Sequence, residues 1–326
     1  KINNSIQNQS EEKLYPDATR RMILEIYELA SQRDPKRLLE KGDDDFSFSL
    51  VGVSRFRVST YKQRGSLAAV IRVVKFDLPD PVQLGVTQTV LDLGRLKKGL
   101  VLVTGPAGSG KSTTLACMID LINRSRNCHV ITLEDPIEYL HSHKKSVVSQ
   151  REISNDTESY VTALRAALRQ APNVILLGEM RDYETISTAL TAAETGHLVF
   201  STLHTVGAAN TIDRVIDAFP PVQQSQAREQ LAAVLKCVVC QQLLPGTGGG
   251  MVPAFEILRV NQAVRNMIRE RKNYQIDHVI QTSSAEGMIG MDQYLHRLYR
   301  DGGITAETAA QYAGDPAALR RRIAAA

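Results

Sequence analysis

Eight residues reading Gly105-Pro106-Ala107-Gly108-Ser109-Gly110-Lys111-Ser112 have the spacing of a phosphate-binding loop. They lie between an apolar run, Leu100 to Val103, and a helix-forming stretch from Thr113 to Ile122. A strand feeding such a loop and a helix leaving it restrict the fold more than any other feature of the chain. The six residues before Lys111 carry no large side chain, so their backbone can rise off a sheet edge and aim successive N–H groups at phosphate oxygens. The following helix adds the positive end of its dipole. In this arrangement Lys111 pairs with the β- and γ-phosphates, Ser112 ligates Mg²⁺, and Thr113 completes the phosphate-contacting set. The expected class is a nucleoside triphosphatase.

The pattern along the chain supports an α/β fold with a smaller unit in front. Asn3 to Glu12 is polar and irregular, and Arg20 to Ala30 reads as an amphipathic helix with Met22, Ile23, Ile26 and Leu29 on one face. From Phe46 the period changes to two, through Phe48 and Leu50, then Arg55 to Val58 and Leu67 to Val74, with turns at Gly52 and Gly65; this predicts a small antiparallel sheet. Pro79 and Pro81 bracket a linker. Beyond it, apolar runs at Leu100 to Val103, Val130 to Leu133, Val174 to Leu177 and Leu198 to Phe200 alternate with helical segments, the pattern of a mostly parallel sheet covered on both faces. Ligands bind such sheets at the carboxyl ends of the strands. The C-terminal part reads as mainly helical, with helices at Val222 to Leu244, Asn261 to Arg269 and Met291 to Tyr299, and a short strand at Val252 to Ile257.

Polar motifs follow these apolar runs. Glu134-Asp135-Pro136-Ile137-Glu138 places three carboxylates after the second run, and the proline turns them into a loop. Such a cluster suits Mg²⁺ outer-shell contacts and orientation of an attacking water, with Glu134 and Glu138 both open to the role. Glu179 follows the third run at the position of a second Mg²⁺ anchor, where Asp is commoner. His197 and His204 flank the fourth run and read as γ-phosphate sensors. A positive charge for the developing oxyanion can come from another domain or subunit. The candidates are Arg55, Arg57, Arg64 and Arg72 on the small sheet. Cys237 and Cys240 form the chain's C-x-x-C, but they fall in a stretch of helical spacing, Leu231 to Leu244, with no second pair, which disfavours a metal or redox site.

Composition excludes other classes. A formal net charge of +4, no Trp and 5% aromatic residues argue against a dedicated nucleic-acid binder. No run of eighteen apolar residues and no cleavable leader is present, so no membrane span is expected. Four Cys without regular spacing suggest reduced thiols in a cytoplasmic protein, and a first residue of Lys1 leads to the expectation that a natural N-terminus is missing.

Taken together, Gly105 to Ser112, Thr132 to Tyr139, Leu177 to Asp182 and Thr195 to Thr205 resemble the Walker A, Asp-box, Walker B and His-box motifs of the secretion ATPases. Gln63-Arg64-Gly65, Thr211-Ile-Asp-Arg-Val215 and Ala263-Val264-Arg265-Asn266-Met267 are similar to segments of the type IV pilus retraction branch of that family. The resemblance runs from Phe46 to the C-terminal region, and before Phe46 the family's opening segment is shortened or absent. It implies a PAS-like α+β domain over residues 1–78, a linker over 79–86 and a RecA-like ATPase domain over 87–326. It also implies ATP and Mg²⁺ as cofactors, a homohexameric ring, and a cytoplasmic motor. That motor would be attached peripherally to the membrane through an inner-membrane platform protein of the pilus machinery. Glu138 is then the general base and Glu179 the Walker B carboxylate. His197 and His204 become interface and sensor histidines, and Arg64 and Arg72 are favoured among the arginines. The alternatives are a pilus-assembly or type II secretion ATPase, which usually carries a tetracysteine zinc insertion, and a RecA-like nucleic-acid motor. A nucleotide-binding regulator without turnover is disfavoured by the set Lys111, Glu138 and Glu179.

Overall fold

The computed structural model describes residues 8, 13–50, 52–74, 78 and 80–325. Apart from Asn8, the segment from Asn3 to Glu12 lies outside the described residues. The chain divides into two compact units, residues 1–76 and 77–326.

In the smaller unit, helices α1 (Pro16–Leu29) and α2 (Lys36–Lys41) pack on an antiparallel sheet of β1 (Asp43–Leu50), β2 (Ser54–Gln63) and β3 (Ser66–Val74), in the order β1-β2-β3. Helix α1 starts before Arg20 because Pro16 fits its first turn, where a missing N–H costs nothing. Its buried side chains are Ile23 and Tyr27, one helical turn apart, while Met22 and Leu29, expected inside, are exposed. Tyr27 is drawn inward by its hydroxyl, which bonds Asp44 Oδ2 at 3.0 Å and Thr60 Oγ1 at 2.8 Å. Asp44 is buried at 1% exposure, takes both bonds of an Arg33 fork at 3.0 Å and has Arg37 Nε at 3.8 Å, beside a core of Ile23, Tyr27, Leu38, Phe46, Val58 and Leu67. Burial pushes the Tyr27 phenol up to about 12.

The larger unit is built on a seven-stranded sheet in the order β10-β9-β4-β8-β7-β5-β6. Its strands are β4 (Gly99–Thr104), β5 (His129–Glu134), β6 (Val147–Glu152), β7 (Val174–Leu177), β8 (Leu198–Leu203), β9 (Leu235–Pro245) and β10 (Met251–Arg259). All neighbours run parallel except the β9–β10 hairpin. Helices α3 (Gln88–Leu91) and α4 (Lys111–Ser125) lie with the C-terminal helices on one face of the sheet. On the other face are α5 (Tyr160–Ala167), α6 (Tyr183–Glu194), α7 (Ala208–Asp217), α8 (Gln224–Val234), α9 (Gln262–Arg269) and α10 (Ile276–Thr282). The first layer is completed by α11 (Met291–Arg300), α12 (Ala306–Tyr312) and α13 (Pro316–Ala324). Each of the four expected core runs is a strand. Residues 79–86, expected as a linker, join this unit over their described part: Val86 is buried in its core, Leu84 packs beside it, and the Val86 N–H bonds the Pro81 carbonyl.

Two elements differ from expectation. The helix predicted over Val222 to Leu244 ends at Val234, and the chain turns into β9. A strand flanked by two others is apolar on both faces, so its continuous run mimics a buried helix in sequence. Cys237 and Cys240 consequently lie on opposite faces of the sheet, one in each layer of the core, and cannot share an ion. Strand β6 was not expected, because Val-Val-Ser-Gln-Arg-Glu is not an apolar run; it is an edge strand with only Val148 and Glu152 buried. Two amides on its open side are taken by side chains, Val148 N–H by His143 Nδ1 at 3.2 Å and Glu152 N–H by Asp156 Oδ2 at 2.8 Å.

Candidate nucleotide site

Strand β4 is buried throughout and ends at Thr104, so the loop from Gly105 to Gly110 leaves the sheet at a carboxyl end and runs into α4. Gly105 has φ +139°, and a Cβ there would lie 2.1 Å from the carbonyl oxygen of Gln241 on β9. Gly108 and Gly110 also have positive φ, at +77° and +88°. These values turn the chain through the loop and start α4 at Lys111. Helix α4 is held in place by Leu115, Met118, Ile119 and Ile122, spaced to face the sheet and buried.

The loop borders a cavity of 470 Å³. Its wall includes Ala107, Gly108, Gly110, Lys111, Ser112 and Thr113 from the loop and helix. Glu134, Asp135, Pro136 and Glu138 come from the loop after β5, Glu179 from the end of β7, and Thr202 and His204 from the end of β8. Four parallel strands thus deliver their carboxyl ends to one place. Lys111 Nζ bonds the Gly105 and Pro106 carbonyls at 2.8 and 2.9 Å. Burial lowers its pKa, opposed by the charges of Glu179 and Glu138. A cation held among loop carbonyls and facing two carboxylates is poised to exchange the carbonyls for phosphate oxygens.

The two candidate bases have different surroundings. Glu134 is held by Thr132 Oγ1 at 2.6 Å and Gln150 Nε2 at 3.1 Å, and burial raises its pKa. Glu138 is exposed on the cavity side, and its backbone N–H supports the Glu134 carboxylate. Glu179 is paired with Arg181 Nε at 2.8 Å and His204 Nε2 at 3.3 Å. Asp182, next in the same motif, caps α6 by accepting the Thr185 N–H at 2.8 Å.

The structure separates His197 from His204. In a parallel sheet the two ends of β8 lie on opposite sides, and a six-residue strand spans roughly 20 Å. His204 reaches Glu179 and the cavity, whereas His197 Nδ1 lies 2.9 Å from the Ala192 carbonyl at the far end. Reading the pair as two phosphate sensors therefore fails on strand direction. Arg55, Arg57, Arg64 and Arg72 all belong to the smaller unit; Arg64 is at φ +48° in the β2–β3 turn, and Arg72 registers opposite Arg57.

Several cavity residues escaped the sequence reading. Tyr139 shares a hydrogen bond with Thr113 at 2.9 Å, and His141 and Tyr160 line the wall. Burial pushes the Tyr160 phenol up and lowers the His141 ring to about 4. His141 stands three residues beyond Glu138, a proximity the sequence did offer; Tyr160 had no local signal.

The sheet order, the loop at a β4 carboxyl end and the carboxylates facing Lys111 define a phosphate-loop ATPase. It has a RecA-like core and a smaller PAS-like α+β unit. The sequence profile of the type II/IV secretion system proteins matches residues 36–248. The type IV pilus retraction ATPase PilT of Pseudomonas aeruginosa is 46% identical over 291 residues, which is 89% of this chain and 85% of that protein. A twitching motility protein of Neisseria gonorrhoeae is 50% identical over 266 residues, 81% of this chain and 71% of that protein. A crystal structure of the pilus retraction motor PilT with bound ADP superposes with a TM-score of 0.85 at 50% identity, covering 91% of this chain and 84% of that one. The chain belongs to the type II/IV secretion system ATPase family, in its PilT-like branch. It is an ATPase with a nucleotide-binding site. No described helix is long and apolar enough to cross a membrane.

Proposed function

We propose that this chain is the motor that retracts type IV pili, a homohexamer whose ATP hydrolysis drives pilin disassembly. It would act at the cytoplasmic face of the membrane through the inner-membrane platform protein of the pilus machine, without binding nucleic acid. The observation that carries this reading is the match to PilT over 89% of the chain, a span that contains the whole cavity.

In this reading the loop amides from Gly105 to Ser112 and the Lys111 ammonium hold the β- and γ-phosphates. The Ser112 hydroxyl and the Glu179 carboxylate, both on the cavity wall, are hard oxygen donors that suit Mg²⁺, Glu179 partly through water. The metal, when bound, supplies charge neutralisation at the phosphates. Glu138 takes the proton of the attacking water: it is exposed to the cavity, while Glu134 is engaged in positioning the loop that carries it. His204 reports on the terminal phosphate through its bond to Glu179. Arg64 and Arg72 bring positive charge from the smaller unit, and His197 acts at an interface.

The test is complementation of a strain lacking pilus retraction, scored by surface motility, alongside ATP turnover of the purified protein. The wild-type chain restores motility and Lys111→Ala does not. Glu138→Gln keeps ATP bound but slows hydrolysis at least about a hundredfold. A chain that hydrolyses ATP yet restores no motility would overturn the retraction role, and equal slowing by Glu134→Gln would reverse the assignment of the base.

A further inference from the structure

Gln241 is a polar side chain in a place built for apolar ones. It lies on β9, buried at 2% exposure, between strand β4 and strand β10. Its neighbours explain why a carboxamide is kept there. The Oε1 atom accepts the hydroxyl of Thr114, in the first turn of α4, at 2.8 Å. Thr114 is itself 1% exposed, so each group satisfies the other away from water. The Nε2 atom lies 2.9 Å from where a Cβ on Gly110 would stand, and the Gln241 backbone carbonyl fills the space at Gly105. One residue thus touches the loop at both ends and at the helix that follows. The preceding residue, Cys240, accepts the hydroxyl of Thr104 at 3.2 Å, so β9 also grips the stem of the loop.

We propose that Gln241 is a positioning residue that holds the phosphate loop in its binding conformation from behind, through Thr114 and the two glycines at 105 and 110. It makes no contact with phosphate itself; it fixes the amides and the Lys111 backbone that do. The loop cradles phosphates common to ATP and ADP, so losing this support weakens ground-state and transition-state binding alike. It therefore raises KM and spares kcat. The inference rests on the nucleotide reading of the cavity, and Lys111→Ala separates the two.

The experiment measures steady-state ATP hydrolysis and the affinity for a fluorescent ADP in the full chain carrying Gln241→Leu, Thr114→Val or both. Leu keeps the volume and removes the amide, and Val keeps the shape of Thr and removes the hydroxyl. Each single variant raises KM for ATP and Kd for ADP about tenfold, with kcat within about threefold of wild type. The double variant is little worse than either, because both remove one bond. If Gln241→Leu does not fold, Thr114→Val alone decides the matter, since its bond is the same one. Unchanged KM and Kd in the folded variants, or fully additive effects in the double variant, would overturn the inference. A Lys111→Ala chain that still binds ADP normally would overturn the nucleotide reading instead.

Discussion

At the scale of single residues, His141 shows how the site's construction appears in a bulk property. Its Nδ1 is buried without a hydrogen-bond partner, and burial holds the ring near pKa 4, reinforced by Lys144 and opposed by Asp120. An unfolded His titrates near 6.5. Between these values the unfolded chain binds the extra proton, so stability is full above about pH 6.5 and declines as pH falls toward 4, by up to about 3 kcal/mol. His141→Asn should flatten this decline, read as the melting temperature of the larger unit at pH 7.5 and pH 5; an unaltered slope would remove His141 as its source. The placement of single residues was legible in sequence only where the backbone fixes it. Lys111 and Ser112 followed from glycine spacing, which dictates the loop directly. Glu134 and Glu138 could not be told apart, because the distinction lies in Thr132 and Gln150, and Gln150 comes from an unforeseen strand. Gln241 was invisible for a related reason: its partners are Thr114 and two glycines more than a hundred positions earlier.

Elements obeyed the sequence where one face of each is dry. The alternation from Phe46 to Val74 predicted β1 to β3 correctly, since a half-buried sheet prints its period on the chain. Strand β9 did not: burial on both sides erases the period that separates strand from helix, and its run follows α8 with no Gly or Pro between them to mark the change. Among its described residues the smaller unit has a core cluster of only six buried side chains, so its helices depend on the Asp44 cluster that pins α1 and its trailing loop to β1 and β2. Arg33→Leu removes the bidentate partner of that carboxylate and leaves it only the more distant, exposed Arg37 Nε at 3.8 Å, so it is expected to destabilise this unit by about 2 kcal/mol. Thermal melts of the full chain should show a lowered early transition and an unmoved later one. A single unshifted transition would mean that Arg37 and the hydroxyls of Tyr27 and Thr60 suffice to hold Asp44.

For the molecule as a whole, the chemistry gathers at one side of the larger sheet and the helix α9 begins at the other. Strand β10 runs antiparallel to β9, so it delivers Asn261 and the segment Ala263 to Met267 to the end away from the phosphate loop. Val264 is buried and Met267 packs against the same core, while Arg265 and Asn266 contribute nothing to the cavity wall. Arg265→Ala should therefore leave ATP turnover of the purified protein close to wild type while surface motility in the complemented strain is largely lost. Parallel loss of both would show that this helix feeds back on hydrolysis. The placement of residues by sheet direction is what sequence likeness alone could not convey, as the separation of His197 from His204 shows.

The blocked amides along β6 bear on how copies of the chain can meet. With His143 and Asp156 already bonded to the outward N–H groups of Val148 and Glu152, a stranger's backbone arriving at that margin would have to evict them before it could extend the sheet. Growth by strand addition, the usual route to fibres, is closed off on that side. Contacts that copies of this chain make at that margin must then run through side chains rather than through a shared strand ladder.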